Sequence, residues 1–275
     1  YLVIASGSET NFYGQEVFKN NAYKLDSVED TKKIKYFLDN DLFDIFIIAG
    51  GGYTGVEVAT NLRIYFNKIK KDKKIIIAER SNSLLGNLPE KIKNYTLSNL
   101  KKLSVDIFLN TTVSKIEGNK IFFSSGEFFN KTMLIWAAGV KTSSFIQKLN
   151  LEKNPQGRIK IDDYLKINDN CFVLGDAANF FYKDQPLRMA VQFSIFQARI
   201  AAVNIINLIL GKPLKKYKPL DLGYIIPMAN NKSCGIVLGV YVTGILATFL
   251  HYLMCIYRSI SWKNKLGIIR NLLNR

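Results

Sequence analysis

Gly50, Gly52 and Gly55 stand in a GxGxxG register directly after the apolar run Asp44-Ile45-Phe46-Ile47-Ile48-Ala49. The chemistry that spacing serves is phosphate binding. A pyrophosphate held at a strand-to-helix turn needs a tight turn, a backbone bare enough to touch it, and amide N–H groups at a helix N-terminus. Three glycines between a strand and a helix answer those needs. Glu79 closes the next apolar run, Lys74–Ala78, at the place where an acid hydrogen-bonds the adenosine ribose hydroxyls of a bound dinucleotide. A carboxylate there repels a 2′-phosphate and favours NADH over NADPH, whereas the neighbouring Arg80 could tolerate the phosphate, so strict preference stays open. Glu57 falls in the first turn of a helix expected over Val56–Ile69, where the helix dipole by itself stabilises a carboxylate.

Those groups need a βαβ unit to position them: a strand over 44–49, a helix over 56–69 and a strand over 74–78. Continuous apolar runs of this kind suit parallel strands covered on both faces. Upstream, Tyr1–Ala5 reads as a buried strand ending in Ser6-Gly7-Ser8, and Ser27-Val28-Glu29-Asp30 starts a helix that continues toward Asn40. Downstream come a helix over 89–103, a strand over 105–109, and short strands over 113–116, 120–123 and 127–129. A further strand, 133–137, stops at Gly139. Phe172–Asp176 is a strand meeting a turn, with a helix expected to begin near Ala177. Met189–Leu210 is a long apolar helix ended by Gly211 and Pro213. From Ser233 to Tyr257 there is no Lys, Arg, Asp or Glu, and after Arg258 basic residues interleave with Ile260, Trp262, Leu266, Ile269 and Leu272.

With 275 residues the chain can bury one large core or two moderate ones, and its 48% hydrophobic and 22% charged content is that of a globular protein. A net charge of +16 attracts phosphates, nucleic acid or anionic lipid. Much of the lysine sits in solvated runs such as Lys68–Lys74, and no nucleic-acid module is present, so nucleic acid is not an expected partner. Cys171, Cys234 and Cys255 are widely spaced, with no CxxC and no His cluster. Neither a metal site nor a disulfide framework follows, and reduced thiols fit a cytoplasmic setting. The first residues lack a starting Met and a signal-peptide pattern. They read as a strand entered midway, so an upstream segment is expected.

Four stretches together resemble the type II NADH:quinone oxidoreductases, within the two-dinucleotide-domain flavoproteins: Tyr1–Phe12, Gly50–Glu57, Trp136–Val140 and Val173–Ala178. The resemblance implies an α/β fold in which an NAD(H)-binding, Rossmann-like domain is inserted into an FAD domain, incomplete here, with a C-terminal membrane-associated helical tail. The implied boundaries are 1–40 for the end of the first FAD segment and its connector, 41–137 for the NAD(H) domain, 138–215 for the second FAD segment and 216–275 for the tail. It also implies FAD and NADH as cofactors. Ala138, Gly139, Gly175 and Asp176 become cofactor contacts, the last two holding the flavin ribityl and pyrophosphate region. Asp176 could accept a ribityl hydroxyl, and a bare helix cap is its plainer role. Glu57 is implied near the junction of nicotinamide and flavin. The upstream glycine motif and ribose acid for the FAD adenosine are missing from this sequence.

The acceptor implied by the resemblance is a membrane quinone, with Gln192 and Gln197 near its pocket and Phe196 where the family pattern has another glutamine. The two glutamines could equally be polar positions of a half-buried helix. The tail resembles the family's membrane-contacting region. Lying on an anionic membrane surface is expected, as a peripheral protein of the cytoplasmic face, with a bilayer-spanning helix and a soluble core helix as alternatives. A homodimer is left open. Two other functions remain: a soluble NAD(P)H flavin reductase serving a ferredoxin- or rubredoxin-like protein acceptor, and a non-catalytic nucleotide-binding membrane protein.

Overall fold

A computed structural model describes residues 1–273 and divides the chain into two compact units, Tyr1–Asn11 with Gly139–Leu222, and Phe12–Ala138 with Gly223 onward. The first unit opens with strands β1 (Leu2–Ile4) and β2 (Ser8–Thr10). The chain then enters the second unit through helices α1 (Glu16–Asn21) and α2 (Val28–Asp39). Ser27 caps α2 in a reciprocal box: its Oγ accepts the Asp30 amide at 3.1 Å, and Asp30 Oδ2 accepts the Ser27 amide at 3.0 Å.

The centre of the second unit is a parallel sheet made of β3 (Ile45–Ala49), β4 (Lys74–Ala78), β5 (Val105–Phe108) and β9 (Thr132–Trp136), in the order β5-β4-β3-β9. Helices α3 (Tyr53–Lys68) and α4 (Glu90–Lys102) make the crossovers. Successive side chains of a strand point to opposite faces. Phe46, Ile48, Ile75 and Ile77 therefore pack against α3 and α4 residues such as Val56, Phe66, Ile92 and Leu100. Ile47, Ala49 and Ile76 face the other way, onto Phe18 and the antiparallel strands β6 (Val113–Glu117), β7 (Lys120–Phe123) and β8 (Phe128–Phe129). Both faces are covered, which explains the unbroken apolar runs.

Two features differ from the sequence expectation. Residues 12–40, grouped by sequence with the first FAD segment, belong to the second unit. Phe12 and Phe18 lie on Trp136 with ring centroids 5.5 and 5.0 Å away, and Tyr23 exchanges backbone bonds with Leu134 and Trp136. Helix α3 begins at Tyr53 rather than Val56, so Glu57 is its fifth residue, past the first turn where the dipole is strongest.

The chain returns to the first unit through β10 (Val140–Thr142), which pairs antiparallel with β2, and then α5 (Ser144–Gln147), β11 (Ile159–Lys160), β12 (Lys166–Asn168) and β13 (Cys171–Val173). Strand β1 runs parallel to β13 as an edge strand, with only Ile4 buried; Leu2 and Val3 are exposed, against the expectation of a buried strand. The helix expected near Ala177 is a three-residue 3-10 turn, Gly175–Ala177. The backbone becomes extended again at Ala178 because β14 (Ala178–Asn179) pairs with β11. Short strands β15 (Phe181–Tyr182) and β16 (Gln185–Pro186) lead to α6 (Val191–Ile209). By length and composition α6 could cross a membrane, yet its Gln192, Gln197 and Asn204 are buried in hydrogen bonds within its own unit.

The uncharged stretch is not one helix. It contributes to a three-stranded antiparallel sheet, β17 (Gly223–Ile226), β18 (Cys234–Val237) and β19 (Val240–Thr243), followed by α7 (Gly244–Arg258) and α8 (Trp262–Leu273). Leu238 and Gly239 both have positive φ, as a two-residue hairpin turn requires. With 15 residues α7 is shorter than the roughly 20 needed to span a bilayer.

Candidate functional site

At the glycine turn each of the three glycines has its own reason. Gly50 has φ +107°, its amide donates to Ala78 O at 2.8 Å, and a Cβ on it would strike the backbone of Ala137 and Ala138. A Cβ on Gly55 would strike Gly50 O, so only glycine lets α3 lie this close to the turn. A Cβ on Gly52 would meet nothing within 4 Å; there the bareness leaves open surface. Gly52 is also the N-cap of α3 and brings no side-chain cap, so an anion seated there gains from the positive helix end.

Glu79 is bound into this loop. Its Oε2 accepts the Gly51 amide at 2.7 Å and its Oε1 accepts the Ser81 amide at 2.8 Å. A carboxylate has about four lone-pair sites, so each oxygen keeps one for a further donor such as a ribose hydroxyl. Arg80 is exposed beside it. Glu57 is exposed on α3, and its carboxylate bears electrostatically on Cys255 of α7, whose thiol is pushed up first by burial and further by Glu57, with Arg258 opposing. Cys255 Sγ in turn lies 3.6 Å from His251 Nε2. That association escaped the sequence reading because some 200 positions separate α3 from α7.

Ala138 closes the second unit and its carbonyl accepts the Tyr13 hydroxyl at 2.9 Å. Gly139 opens the return to the first unit with φ +144°, and its carbonyl accepts the Asn11 amide at 3.0 Å.

In the first unit the Gly175–Ala177 turn is held from several sides. Gly175, at φ +65°, donates its amide to Gln197 Oε1 at 2.7 Å, and Ser194 Oγ would lie 3.0 Å from a Cβ placed on it. Asp176 Oδ2 accepts the Ser8 hydroxyl at 2.8 Å. Arg158, only 4% exposed, donates to Ala178 O at 2.5 Å and to Leu187 O at 2.7 Å. Sequence reasoning missed Arg158 and Ser194; neither belongs to a motif, and only the pairing of β11 with β14 brings Arg158 beneath the turn.

Gln197 thus touches the turn, but Gln192 does not join it. Five positions apart on a helix, the two side chains point about 140° apart. Gln192 is buried between Asp221 Oδ1, to which its amide donates at 3.0 Å, and the Leu222 amide, which it accepts at 3.1 Å. Asp221 is itself gripped by both terminal nitrogens of Arg188 at 2.9 Å. The structure therefore gathers Gly50, Gly52, Gly55 and Glu79 in one place, and Gly175, Asp176 and Gln197 in another.

Over residues 1–202 the chain matches the family described as Pyridine nucleotide-disulphide oxidoreductase. The chain belongs to that family. Among its relatives, a type II NADH:quinone oxidoreductase of Haemophilus influenzae is 28% identical over 273 residues, covering 86% of this chain and 62% of that protein. A demethylphylloquinone reductase of Synechocystis sp. is 27% identical over 285 residues, covering 100% of this chain and 70% of that protein. The structure of NDH2 from Plasmodium falciparum in complex with NADH superposes with a TM-score of 0.84 at 18% identity, covering 99% of this chain and 77% of that one, which shows a shared fold. The family member described here spans less than two thirds of the length of the Haemophilus relative.

Proposed function

We propose that this chain is the nicotinamide-binding and flavin-closing part of a type II NADH:quinone oxidoreductase. The observation that carries it is the Gly50–Gly55 turn with Glu79 bound into it, on a chain whose named relatives act on NADH and quinones. Gly52 and the N-terminus of α3 receive the pyrophosphate, and Glu79 receives the ribose hydroxyls. Glu57 serves at the nicotinamide end.

The second cluster fits part of a flavin site: a positive-φ turn at Gly175, a half-buried acceptor at Asp176, and an Arg158 Nε without a partner. A flavin held there would supply two-electron chemistry between NADH and an acceptor. The chain's own work is to bind and orient. Asp176, fixed by Ser8, presents an acceptor oxygen, and Gln197 holds the Gly175 turn in shape.

Membrane contact is supported by α7 and α8. Ile245, Leu246, Phe249, Leu253 and Tyr257 form an exposed apolar stripe, and Ile260, Trp262 and Leu266 extend it among Lys263, Lys265 and Arg270. An amphipathic, basic element of this kind lies in the headgroup region of an anionic membrane. A protein acceptor is the second function to consider, because Gln192 is occupied by Asp221 and Leu222 instead of facing the Gly175 turn.

The test supplies FAD to the purified chain and follows NADH oxidation with a short-chain quinone or a ferredoxin as acceptor. Quinone-dependent oxidation that prefers NADH over NADPH is expected. Oxidation with ferredoxin alone would favour the protein-acceptor function.

A further inference from the structure

Arg158 is a buried cation without a salt bridge among the described residues. Its terminal nitrogens donate only to the carbonyls of Ala178 and Leu187, and its Nε–H has no partner. Burying a guanidinium costs several kcal/mol, and a neutral amide could serve two carbonyls equally well. The charge itself therefore needs a use. The carboxylate whose field acts on Arg158 is that of Asp176; burial lowers the Arg158 pKa and Asp176 opposes the drop. Asp176 in turn is the middle residue of the Gly175–Ala177 turn.

We infer that Arg158 is a positioning residue for the flavin: from beneath the Gly175–Ala178 turn it holds the backbone in place, and its positive charge offsets Asp176 so that a polyanionic dinucleotide can settle on the turn. This rests on the flavin assignment above. The guanidinium makes the turn electrically receptive as well as rigid. Without its charge, Asp176 and the phosphates of the ligand repel one another in a poorly solvated place. The unpaired Nε–H is a further buried donor that a ligand or a water would satisfy.

The experiment compares the wild-type chain with Arg158→Gln, which keeps two N–H donors and loses the charge, and Arg158→Lys, which keeps the charge and loses the planar fork. FAD affinity is read by quenching of flavin fluorescence, and NADH affinity, which depends on the other unit, serves as the folding control. Arg158→Gln is expected to weaken FAD binding at least tenfold and Arg158→Lys less than about threefold, with NADH affinity unchanged in both. Combining Arg158→Gln with Asp176→Asn should restore part of the loss, since removing the carboxylate removes the repulsion. Equal weakening by Gln and Lys would overturn the role of charge, and wild-type affinity in Arg158→Gln would overturn the proposal entirely. If Arg158→Gln fails to fold, a tenfold loss in Arg158→Lys overturns it as well. A wild-type chain that binds NADH but no FAD would instead defeat the flavin assignment, and the proposal with it.

Discussion

Glu79 accepts two backbone amides while standing where a ribose acceptor belongs, so its loss acts twice. Glu79→Ala leaves the Gly51 and Ser81 amides unmatched and removes the contact to the sugar. An unmade hydrogen bond of this sort costs about 1–3 kcal/mol. NADH affinity measured by fluorescence titration is expected to fall about tenfold or more, since each ~1.4 kcal/mol is a factor of ten. Unchanged affinity would show that the carboxylate only braces the loop. At this scale the glycine turn and the place of Glu79 beside it were legible because their geometry depends on short stretches of backbone. Arg158 was not legible, since nothing in its neighbours announces that β11 will lie beside β14. The different partners of Gln192 and Gln197 were not legible for a related reason: both are buried, but helix phase sends them to different partners.

Among the elements, α7 divides its faces sharply. Thr248, whose hydroxyl donates to Ser233 Oγ at 2.8 Å, and the half-buried His251 and Cys255 lie on the inner side, while Phe249 and Leu253 are exposed outward. The double substitution Phe249→Lys with Leu253→Lys should leave NADH affinity unchanged and reduce binding to anionic vesicles in a flotation assay at least tenfold. Retained vesicle binding would mean that the basic residues of α8 suffice. Strand β4 coincides with its sequence expectation, and β3 and the Ser27 cap come within a residue, because β-branched runs and capping boxes are local signals. The stretch from Ser233 was harder. A lack of charge marks burial or a membrane but not a period, and glycines at 235 and 239 belong to a strand and a hairpin turn, which becomes plain only once β17 is alongside. The turn at Gly175 read as a helix start for a similar reason: the pairing that pulls Ala178 into a strand comes from a distant segment.

For the whole molecule, the net charge of +16 means that acid adds to an existing self-repulsion. Around Lys73, itself largely buried, Asp41 and Asp44 are the compensating charges. Hydrogen bonds from Lys71 and Lys73 hold the Asp41 carboxyl below its usual value, and Lys73 does the same for Asp44. A depressed carboxylate pKa contributes stability above the unfolded value and loses it as pH falls through the folded one. The melting temperature should therefore be nearly flat from pH 7 to 5 and fall below about pH 4, near the ordinary Asp value. Asp41→Asn should melt lower at pH 7, with the difference closing as pH falls below the depressed folded pKa of Asp41; a difference that persisted in strong acid would assign the effect to packing.

The chain divides into two units, each with its own core, and residues 12–40 join the second of them because Phe12, Phe18 and Tyr23 pack on β9. The central claim is that one chain carries both a nicotinamide site and a flavin-closing site. It is tested most directly by the absorbance spectrum of the chain with FAD, recorded without oxygen before and after NADH is added. Bleaching of a bound flavin band that returns when a quinone is supplied is the predicted result. A chain that binds NADH while its flavin band stays unchanged, or that holds no flavin, would contradict it.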